Sequence, residues 1–285
     1  MKIAITGANG YIGCYVMQAL VDDGRFEPVP LARNRHSAPY LTTDYSPASL
    51  RKAFAGVDAV AHLAALKNVR RYSDMEENIS LTCRVADAAR AVSVRKIVYA
   101  SSISVYSDET MLPWKEESAA SPSTLYGISK LMGEYLLRIK AESSVCLRLA
   151  HVIGPCMQGN YMIPVFLKNA MNGEPLIVRG KSAAKRELID VRDVTRAVLW
   201  ALTDERSDGQ TVNIGTGIGL TNLEIAETIG AESGAEIRYD DSEPEAIKSS
   251  VMRVEKAGSL GFSAQWTPQE ALRTIIQEQL RCVSS

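Results

Sequence analysis

The stretch KIAITGANGYIG, residues 2–13, decides the fold of this chain. Its first five residues form a short apolar run typical of a buried strand, and Gly7, Gly10 and Gly13 follow. A turn from a strand into a helix needs glycine for the tight bend, for close approach of the backbone to a pyrophosphate and for packing of the helix on the strand. The helix N-terminus then offers N–H groups and a positive dipole end to the phosphates. The stretch predicts a dinucleotide-binding turn rather than an ordinary glycine-rich turn.

Short apolar runs alternate with amphipathic stretches through the first two thirds of the chain. The predicted strands are residues 2–6, 27–31, 58–64, 96–101 and 144–149. The predicted helices are residues 11–22, 74–92, 126–141, 191–203, 221–233 and 268–281. Such alternation is typical of a parallel sheet wrapped by helices. We expect an α/β fold: a Rossmann doubly wound parallel sheet over residues 1–150, with return segments at about 186–216, and a smaller C-terminal substrate-binding lobe over residues 151–285.

The composition excludes several classes of protein. The 285 residues are 46% hydrophobic and 23% charged, with a net charge of -1. No long run of like charge and no 18-residue apolar run occurs, so we expect neither nucleic acid nor a membrane as partner. The five cysteines are scattered without a CxxC pair, which argues against a disulfide framework or a metal site. The N-terminus enters a strand without a signal segment, so we expect a cytoplasmic location.

Tyr126 and Lys130 lie four residues apart in a predicted helix, where both side chains share one face. Hydride transfer at an alcohol or ketone carbon requires a group that moves the proton on the oxygen. A free tyrosine titrates at about 10, too high for a base at neutral pH. A lysine ammonium one turn away, together with a positive nicotinamide ring, would lower that pKa. The spacing alone does not separate such a pair from two surface residues.

Five further motifs follow the glycine loop in a fixed order. They are HLAA at 62–65, YASSISVY at 99–106, YGISK at 126–130, RELIDVRDV at 186–194 and NIGTG at 213–217. With TGANGYIG at 6–13, this series resembles the extended short-chain dehydrogenases, the nucleotide-sugar epimerase/dehydratase group. The resemblance implies that Tyr126 is the acid/base and Lys130 its activator. Ser102 would hold the substrate oxygen, and Asn78 would anchor a water that relays the proton.

The resemblance also implies a set of cofactor contacts. They are Gly7, Asn9, Gly10, Tyr11, Ile12, Gly13, Leu63, Ala64, Ala65, Lys67, Tyr126 and Lys130, with Asp44 capping the adenine. NAD-specific enzymes commonly place a carboxylate after the second strand, against the ribose hydroxyls. This chain has Arg33 there, which can form a fork onto a 2′-phosphate, with Arg35 or His36 adding charge. We expect NADP rather than NAD, the alternative being a solvated basic loop.

The residues that follow Ser102 distinguish between the reactions that members of the family catalyse. The resemblance implies that 4,6-dehydratases carry an Asp-Glu pair directly after the catalytic Ser/Thr, and that 3,5-epimerase/reductases carry a cysteine there. This chain has Ile103 and Ser104 instead, which leaves redox chemistry at one carbon. We expect a hydride transfer at C4 of a nucleotide-activated sugar by a 4-keto-sugar reductase. The first alternative is a nucleotide-sugar 4-epimerase with retained NAD, which residues 65–67 and 160–164 favour. Further alternatives are a reductase of a non-sugar ketone and a non-catalytic NADP-binding regulator.

A nucleoside diphosphate brings at least two negative charges, and a bidentate arginine suits them. The expected substrate contacts are Ser104, His151, Asn160, Arg186 and Arg253. His151 stands where the family has asparagine, and a lone histidine is more often a satisfied core residue than a catalyst.

Three further expectations concern residues outside these contacts. Cys156 is expected to be a buried thiol, the alternative implied by the resemblance being the second acid/base of the 3,5-epimerase/reductases. Ser101 is expected to hydrogen-bond the local backbone. Helices at the position of residues 74–92 and 126–141 often form a dimer interface in similar proteins. An apolar stripe of Leu131, Tyr135 and Ile139 is consistent with a homodimer, and also with core packing.

Overall fold

A computed structural model of the chain describes residues 1–33, 40–157, 159, 161–242 and 248–284. Its strands are β1 (Lys2–Thr6), β2 (Glu27–Ala32), β3 (Leu41–Thr42), β4 (Ala59–His62), β5 (Lys96–Ser102), β6 (Ser144–Leu149), β7 (His151–Ile153), β8 (Leu176–Arg179), β9 (Lys185–Asp190), β10 (Thr211–Ile214), β11 (Gly219–Thr221) and β12 (Ile237–Asp240). Its α-helices are α1 (Tyr11–Asp23), α2 (Pro47–Phe54), α3 (Tyr72–Ala91), α4 (Leu125–Lys140), α5 (Met162–Met171), α6 (Val191–Thr203), α7 (Asn222–Ser233), α8 (Glu255–Ser259) and α9 (Pro268–Ser284).

Seven parallel strands form the central sheet, in the order β10-β6-β5-β4-β1-β2-β3. Strand order reverses on the two sides of β1, as in a doubly wound fold, and ligands of such folds bind beyond the carboxyl ends of the strands near that point. The predicted α/β Rossmann fold is therefore confirmed. The glycine loop, the segment after β4 and Ser102 all lie at that edge, because each follows or ends one of the central strands.

Helices cover both faces of this sheet because side chains of a strand alternate between its faces. Ile3 and Ile5 of β1 pack with α1 and α6 on one face, and Ala4 packs with α2, α3 and α4 on the other. All three side chains are fully buried, so β1 reads as a continuous apolar run, as strands covered on both faces do.

The C-terminal part contains two small sheets and a core of its own. Strands β11, β9 and β7 form one sheet, in which β11 runs antiparallel to β9 and β7 parallel to it. Strands β12 and β8 form a parallel pair. Apolar side chains of α5, α7 and α9 pack against these strands, with Phe166, Leu176, Ile225 and Leu272 at the centre. Among the helices that the structure describes, none combines the length and apolar character needed to cross a bilayer.

The predicted strands 2–6 and 144–149 and the helix 191–203 have the observed bounds, and the other predicted elements differ mostly by one or two residues. Helix α2 was not predicted, although Ser46 accepts a hydrogen bond from Ser49 N and Pro47 opens the first turn, which are ordinary N-terminal signals. Helix α5 and strands β3 and β7–β12 were not predicted either. Most of these strands have two to four residues, too few for a period-2 pattern to show.

Candidate active site

The glycine loop forms a cradle between β1 and α1. Gly7 has a φ of +70°, and a Cβ added there would lie 2.8 Å from the Ala64 Cα. A Cβ on Gly13 would overlap the carbonyl oxygen of Gly7. Gly10 caps α1 without a side-chain hydrogen bond, so the first turn presents N–H groups that suit a pyrophosphate. These features fit a bound dinucleotide. Asn9, Tyr11 and Ile12 lie in this loop and in the first turn of α1, and their contacts with a cofactor stay a prediction.

A tyrosine outside every motif supports the cradle. Tyr45 Oη accepts a hydrogen bond from Gly7 N at 3.0 Å and donates one to the carbonyl oxygen of Leu31 at 3.3 Å. Its side chain is almost fully buried. No sequence signal marks Tyr45, because it reaches the loop only through the packing of the segment after β3 on β1 and β2.

The segment after β4 is fixed by Asn78 of α3. Asn78 Oδ1 accepts a hydrogen bond from Leu66 N at 2.7 Å, and Nδ2 donates to the Leu66 carbonyl oxygen at 3.0 Å and to Ser129 Oγ at 3.3 Å. Asn78 therefore positions the predicted cofactor contacts Leu63, Ala64, Ala65 and Lys67. Its proposed water-relay role stays a prediction, and its side-chain atoms already have protein partners.

Ser102 ends β5 with its side chain half-buried at the sheet edge. Its Oγ accepts a hydrogen bond from Ser104 N at 3.1 Å and lies 3.2 Å from Ser104 Oγ. Ser101 points to the other face and donates to Glu134 Oε1 at 2.5 Å. The expectation that Ser101 bonds local backbone is wrong. Strand alternation places it against α4, where the buried Glu134 offers a stronger, charged acceptor.

Helix α4 brings Tyr126 and Lys130 to Ser102. Thr124 caps the helix by accepting a hydrogen bond from Gly127 N at 3.0 Å. Gly127 packs so closely on the carbonyl oxygen of Ser104 that a Cβ would overlap it. Lys130 Nζ donates to the carbonyl oxygen of Ala100 at 2.7 Å and lies 5.6 Å from the Tyr126 ring centroid. The structure therefore places these two side chains and Ser102 together.

Burial dominates the pKa values of this pair. It raises the pKa of Tyr126 to about 12, and hydrogen bonding to the Ser102 hydroxyl opposes the rise. It lowers the pKa of Lys130 to about 8, against the favourable charge of Glu134. The protein by itself does not lower the Tyr126 pKa as predicted, because burial of the phenol raises this pKa more than the hydrogen bond with Ser102 lowers it. The other predicted contribution is the positive nicotinamide ring, which belongs to the cofactor.

A buried polar network supports the site from beneath. Arg148 of β6 forms a bidentate ion pair with Glu134, at 3.0 and 2.7 Å. Arg148 Nη1 also donates to Tyr106 Oη at 2.6 Å, and Tyr106 Oη donates to Asn213 Oδ1 at 2.9 Å. Residues of the YASSISVY and NIGTG motifs thus serve one structural network as well as the site.

Arg33 has a protein partner at the end of β2. Its Nη2 donates to Glu77 Oε1 of α3 at 2.5 Å, and its guanidinium carbon lies 5.4 Å from the Tyr45 ring centroid. Asp44 is exposed and accepts a hydrogen bond from Ser46 N at 2.9 Å, which holds its pKa below the usual value. Arg35 and His36 lie outside the described residues. The observed ion pair engages the guanidinium that was predicted to bind a 2′-phosphate.

Three of the predicted substrate and cofactor residues lie near one another on the C-terminal side of the cleft, namely Lys67, His151 and Arg186. His151 Nε2 lies 3.1 Å from Ser250 Oγ. Burial, together with the positive charges of Arg186 and Lys67, lowers the pKa of His151 to about 4. His151 is therefore neutral at physiological pH and has a hydroxyl partner, in agreement with a satisfied histidine. Arg186 and Lys67, whose charges act on His151, offer positive charge suited to a diphosphate.

Lys67 also contacts a residue that the motifs do not mark. Its Nζ lies 4.7 Å from the Tyr161 ring centroid and 3.5 Å from Tyr161 Oη. Tyr161 is the N-cap of α5, so this contact joins the segment after β4 to the C-terminal part. A cation over an aromatic ring is attracted by the ring quadrupole.

The remaining predicted residues have different outcomes. Arg253 is exposed and pairs with Glu255 at 2.9 Å, which directs its guanidinium to the surface. Asn160 lies outside the described residues. The expectation of a buried Cys156 is wrong, because the residue is exposed, in a turn with a φ of +60°. On α4, Tyr135 and Ile139 are exposed, whereas Leu131 packs partly against the core.

Comparison with known proteins agrees with this site. A model of the NAD dependent epimerase/dehydratase family matches residues 3–215. The solved UDP-N-acetylglucosamine 4-epimerase from Bacillus cereus is similar, with a TM-score of 0.90 and 36% identity over 98% of this chain and 96% of that one. MoeE5, solved with UDP-glucuronic acid and NAD, has a TM-score of 0.88 and 27% identity over 99% of this chain and 100% of its own.

A similar protein was also found by comparison of sequences. An uncharacterized UDP-glucose epimerase of Bacillus subtilis (strain 168) is 26% identical over 315 residues, which cover 100% of this chain and 98% of that protein. The matched family segment contains the glycine loop, Ser102, Tyr126, Lys130 and the first three residues of the NIGTG motif. The chain belongs to the NAD dependent epimerase/dehydratase family of nucleotide-sugar enzymes.

Proposed function

We propose that this chain is a UDP-sugar 4-epimerase that retains NAD. The observation that carries the proposal is the likeness, over almost the whole chain, to the UDP-N-acetylglucosamine 4-epimerase of Bacillus cereus. The local sequence agrees, since Ile103 and Ser104 replace the acid pair that a dehydratase would need after Ser102. The 4-keto-sugar reductase expected from Arg33 has weaker support, because Arg33 already pairs with Glu77.

The chain's own residues supply positioning and proton transfer. NAD, when bound, supplies reversible hydride acceptance at C4. Tyr126 Oη takes the proton of the 4-hydroxyl during oxidation and returns it during reduction. Ser102 Oγ hydrogen-bonds the same oxygen and holds it in line with Tyr126. Lys130, fixed on the Ala100 carbonyl oxygen, keeps a positive charge beside the phenol.

The diphosphate of the substrate is assigned to the C-terminal side of the cleft. Arg186 and Lys67 bring positive charge close to His151, which is neutral and hydrogen-bonded to Ser250. Ser104 lies beside Ser102 and is proposed to contact the sugar. In this scheme residues 151–285 form the substrate-binding lobe, with Asn160 and Arg253 retained as candidate contacts.

The cofactor preference follows from the end of β2. A 2′-phosphate would have to compete with Glu77 for Arg33, at a distance of 2.5 Å in the observed pair. We therefore propose NAD in place of the predicted NADP. Relatives solved with NAD, among them MoeE5, support the same choice.

The test combines cofactor identity with turnover. The protein is purified without added cofactor and denatured, and the released dinucleotide is identified by mass spectrometry. Incubation with UDP-glucose and with UDP-N-acetylglucosamine, followed by chromatography, detects the 4-epimers. We expect retained NAD and conversion of at least one of the two sugars. An empty protein that consumes NADPH with a UDP-4-keto sugar and converts neither UDP-sugar would establish the reductase instead.

A homodimer through α3 and α4 is proposed as the assembly. Exposed apolar side chains occur on both helices, with Tyr72 of α3 at 72% and Ile139 of α4 at 76% exposure. Light scattering should give about twice the chain mass of 31.1 kDa. The Ile139→Glu variant should give the monomer, and a monomeric wild type would contradict the proposal.

A further inference from the structure

Glu187 is a buried acid that the reaction does not use. It lies in β9, next to Arg186, and its side chain is fully buried. Its Oε1 accepts a hydrogen bond from Gly217 N at 2.8 Å, and its Oε2 accepts one from Met252 N at 2.6 Å. Thr216 N is a further donor. A single carboxylate therefore joins three chain segments, which are β9, the turn 215–217 and the segment 250–252.

The two segments held by Glu187 connect different parts of the molecule. The turn 215–217 follows β10, the edge strand of the central sheet. It packs so closely that a Cβ on Gly215 would overlap Glu187 Oε1. Segment 250–252 pairs with Trp114, whose N donates to the Val251 carbonyl oxygen at 2.9 Å. Glu187 thus holds β9 against two elements of the catalytic side.

The same segment borders the proposed diphosphate site. Ser250 N donates to the Lys185 carbonyl oxygen at 2.7 Å, and Glu187 N donates to the Ser250 carbonyl oxygen at 2.9 Å, so Ser250 pairs with the backbone on both sides of Arg186. Ser250 Oγ is also the partner of His151. A shift of this segment would move the neighbours of both Arg186 and His151.

We propose that Glu187 is a positioning residue whose ionised carboxylate holds segment 250–252 and the turn 215–217 on β9, and thereby maintains the site that binds the diphosphate of the nucleotide sugar. This inference rests on the proposed function. A carboxylate has two acceptor oxygens, which match the donors on its two sides. We call the contacts of Glu187 with Gly217 N and Met252 N the clamp. Protonation turns one carboxylate oxygen into a hydroxyl that faces one of these N–H donors, so that this hydrogen bond is weakened.

The clamp is poised to respond near neutral pH. Burial raises the pKa of Glu187 to about 7, and the backbone N–H donors oppose the rise. The carboxyl is therefore expected to be mostly protonated at pH 6 and mostly ionised at pH 8. Around it, Gly219 of β11 and the turn residues have no titratable side chain, and Arg253 pairs with Glu255. On β7, which pairs with β9, His151 stays neutral because its pKa is about 4.

The matched variant is Glu187→Gln, which keeps the shape of the side chain and places an amide donor where a protonated carboxyl would have one. The control is Glu236→Gln, an exposed residue of the β8–β12 side that pairs with Arg238. Lys130, whose pKa is about 8, is present in every variant. A difference between Glu187→Gln and wild type is therefore independent of Lys130.

Hydrogen exchange measures the clamp without any ligand. After correction for intrinsic rates, peptides covering 213–219 and 248–254 should be less protected in Glu187→Gln than in the wild type at pH 8. Glu236→Gln should behave as wild type. Equal protection in wild type and Glu187→Gln at pH 8 would overturn the clamp.

Calorimetric titration with UDP-glucose, on protein loaded with NAD, measures the consequence. The diester phosphates of this probe keep their charge between pH 6 and pH 8. Wild type should bind about tenfold more weakly at pH 6 than at pH 8, and Glu187→Gln should bind with the weaker affinity at both. In turnover, Glu187→Gln should raise KM and leave kcat within about twofold, since Glu187 does not touch the reacting atoms.

The outcomes separate the two proposals. Tight, pH-independent binding of UDP-glucose by wild type and Glu187→Gln alike overturns the role of Glu187 and leaves the proposed function standing. Absence of binding by wild type and every variant contradicts the nucleotide-sugar function, and with it the role of Glu187 in substrate affinity. A fall in kcat without a change in KM would also overturn the positioning role.

Discussion

Lys130 Nζ donates a hydrogen bond to the carbonyl oxygen of Ala100 at 2.7 Å, which ties the helix that carries Tyr126 to the strand that carries Ser102. The ammonium group is fixed by backbone and cannot follow the substrate. Its charge therefore acts from one position, 4.8 Å from the Tyr99 ring centroid and 5.6 Å from that of Tyr126.

Replacement of this lysine by Lys130→Met should lower kcat by about 100-fold or more, because the positive charge beside the phenol is lost. Burial lowers the pKa of Lys130 to about 8, so the ammonium form is lost as pH rises above that value. The wild-type rate should fall above about pH 8, and the residual rate of the variant should lack this fall. Lys140→Met, at a surface pair with Asp87, is the control. A variant rate equal to that of wild type would argue against any role for Lys130.

Tyr126→Phe removes only the hydroxyl that moves the proton. We expect kcat to fall by about 100- to 10,000-fold, the usual contribution of a positioned acid/base. Binding of UDP-glucose, followed by calorimetry, should change little because the ring and its packing stay. Substantial turnover by Tyr126→Phe would assign the proton transfer to another group, with the Ser102 hydroxyl as the nearest candidate.

Glu77→Gln should release Arg33 and change the cofactor preference. The pair is partly exposed, and such pairs contribute up to about 1 kcal/mol, or a factor of about five in affinity. The affinity for NADPH, relative to NADH, should rise by up to that factor in a fluorescence titration. Glu76→Gln changes the same charge at an exposed position of α3 and should have no effect. Unchanged relative affinity in Glu77→Gln would remove Arg33 from the argument about the cofactor.

Glu134→Ala should strongly destabilise the protein. It leaves the guanidinium of Arg148, 6% exposed, without its carboxylate and removes the acceptor of Ser101. Loss of one partner of a buried ion pair costs about 3–5 kcal/mol in the free energy of unfolding, measured with urea. Glu236→Ala breaks the exposed pair with Arg238 and should cost less than about 1 kcal/mol. Equal effects of the two substitutions would mean that the buried network adds nothing to stability.

The protonation of Glu187 should also appear in the pH dependence of stability. Its pKa is raised from 4.5 in the unfolded chain to about 7 in the folded one, so the folded state binds this proton more tightly. The resulting stabilisation is full below pH 4.5 and is lost as pH rises through 7.

The contribution is of the order of 3 kcal/mol, at about 1.4 kcal/mol per pKa unit. The free energy of unfolding of wild type, minus that of Glu187→Gln, should therefore increase from pH 8 to pH 5. The buried His62 and His151 titrate in both proteins and cancel in this difference. A pH-independent difference would contradict the raised pKa.

Local sequence patterns were sufficient for five of the seven strands of the central sheet and for the core of the site. Strands β1 and β6 and the glycine turn depend on residues adjacent in the chain, so their apolar runs and glycines carry the information directly. The Tyr126 and Lys130 pair lies within one helix, and its fixed spacing survives any change of environment. Family resemblance then identified the chain by motifs, each of which is a short local segment.

The sequence could not determine contacts between segments distant in the chain. Ser101 meets Glu134, Arg33 meets Glu77, and Cys156 lies at the surface, and each outcome corrected or weakened an expectation drawn from local pattern. Glu187 precedes two apolar residues in the short run ELID, and a charged residue at a buried strand position needs polar partners. The sequence did not show which partners those were.

By itself, the sequence determined that the chain folds as a doubly wound α/β protein with a dinucleotide turn and a Tyr/Lys pair, because these features depend on periodicity and spacing within single elements. Only the tertiary structure decided that burial raises the pKa of the Tyr126 phenol and that Arg33 forms an ion pair with Glu77. It also decided that the carboxylate of Glu187 joins three chain segments. The physical reason is that burial, ion pairing and backbone hydrogen bonding across the fold depend on which distant segments come together.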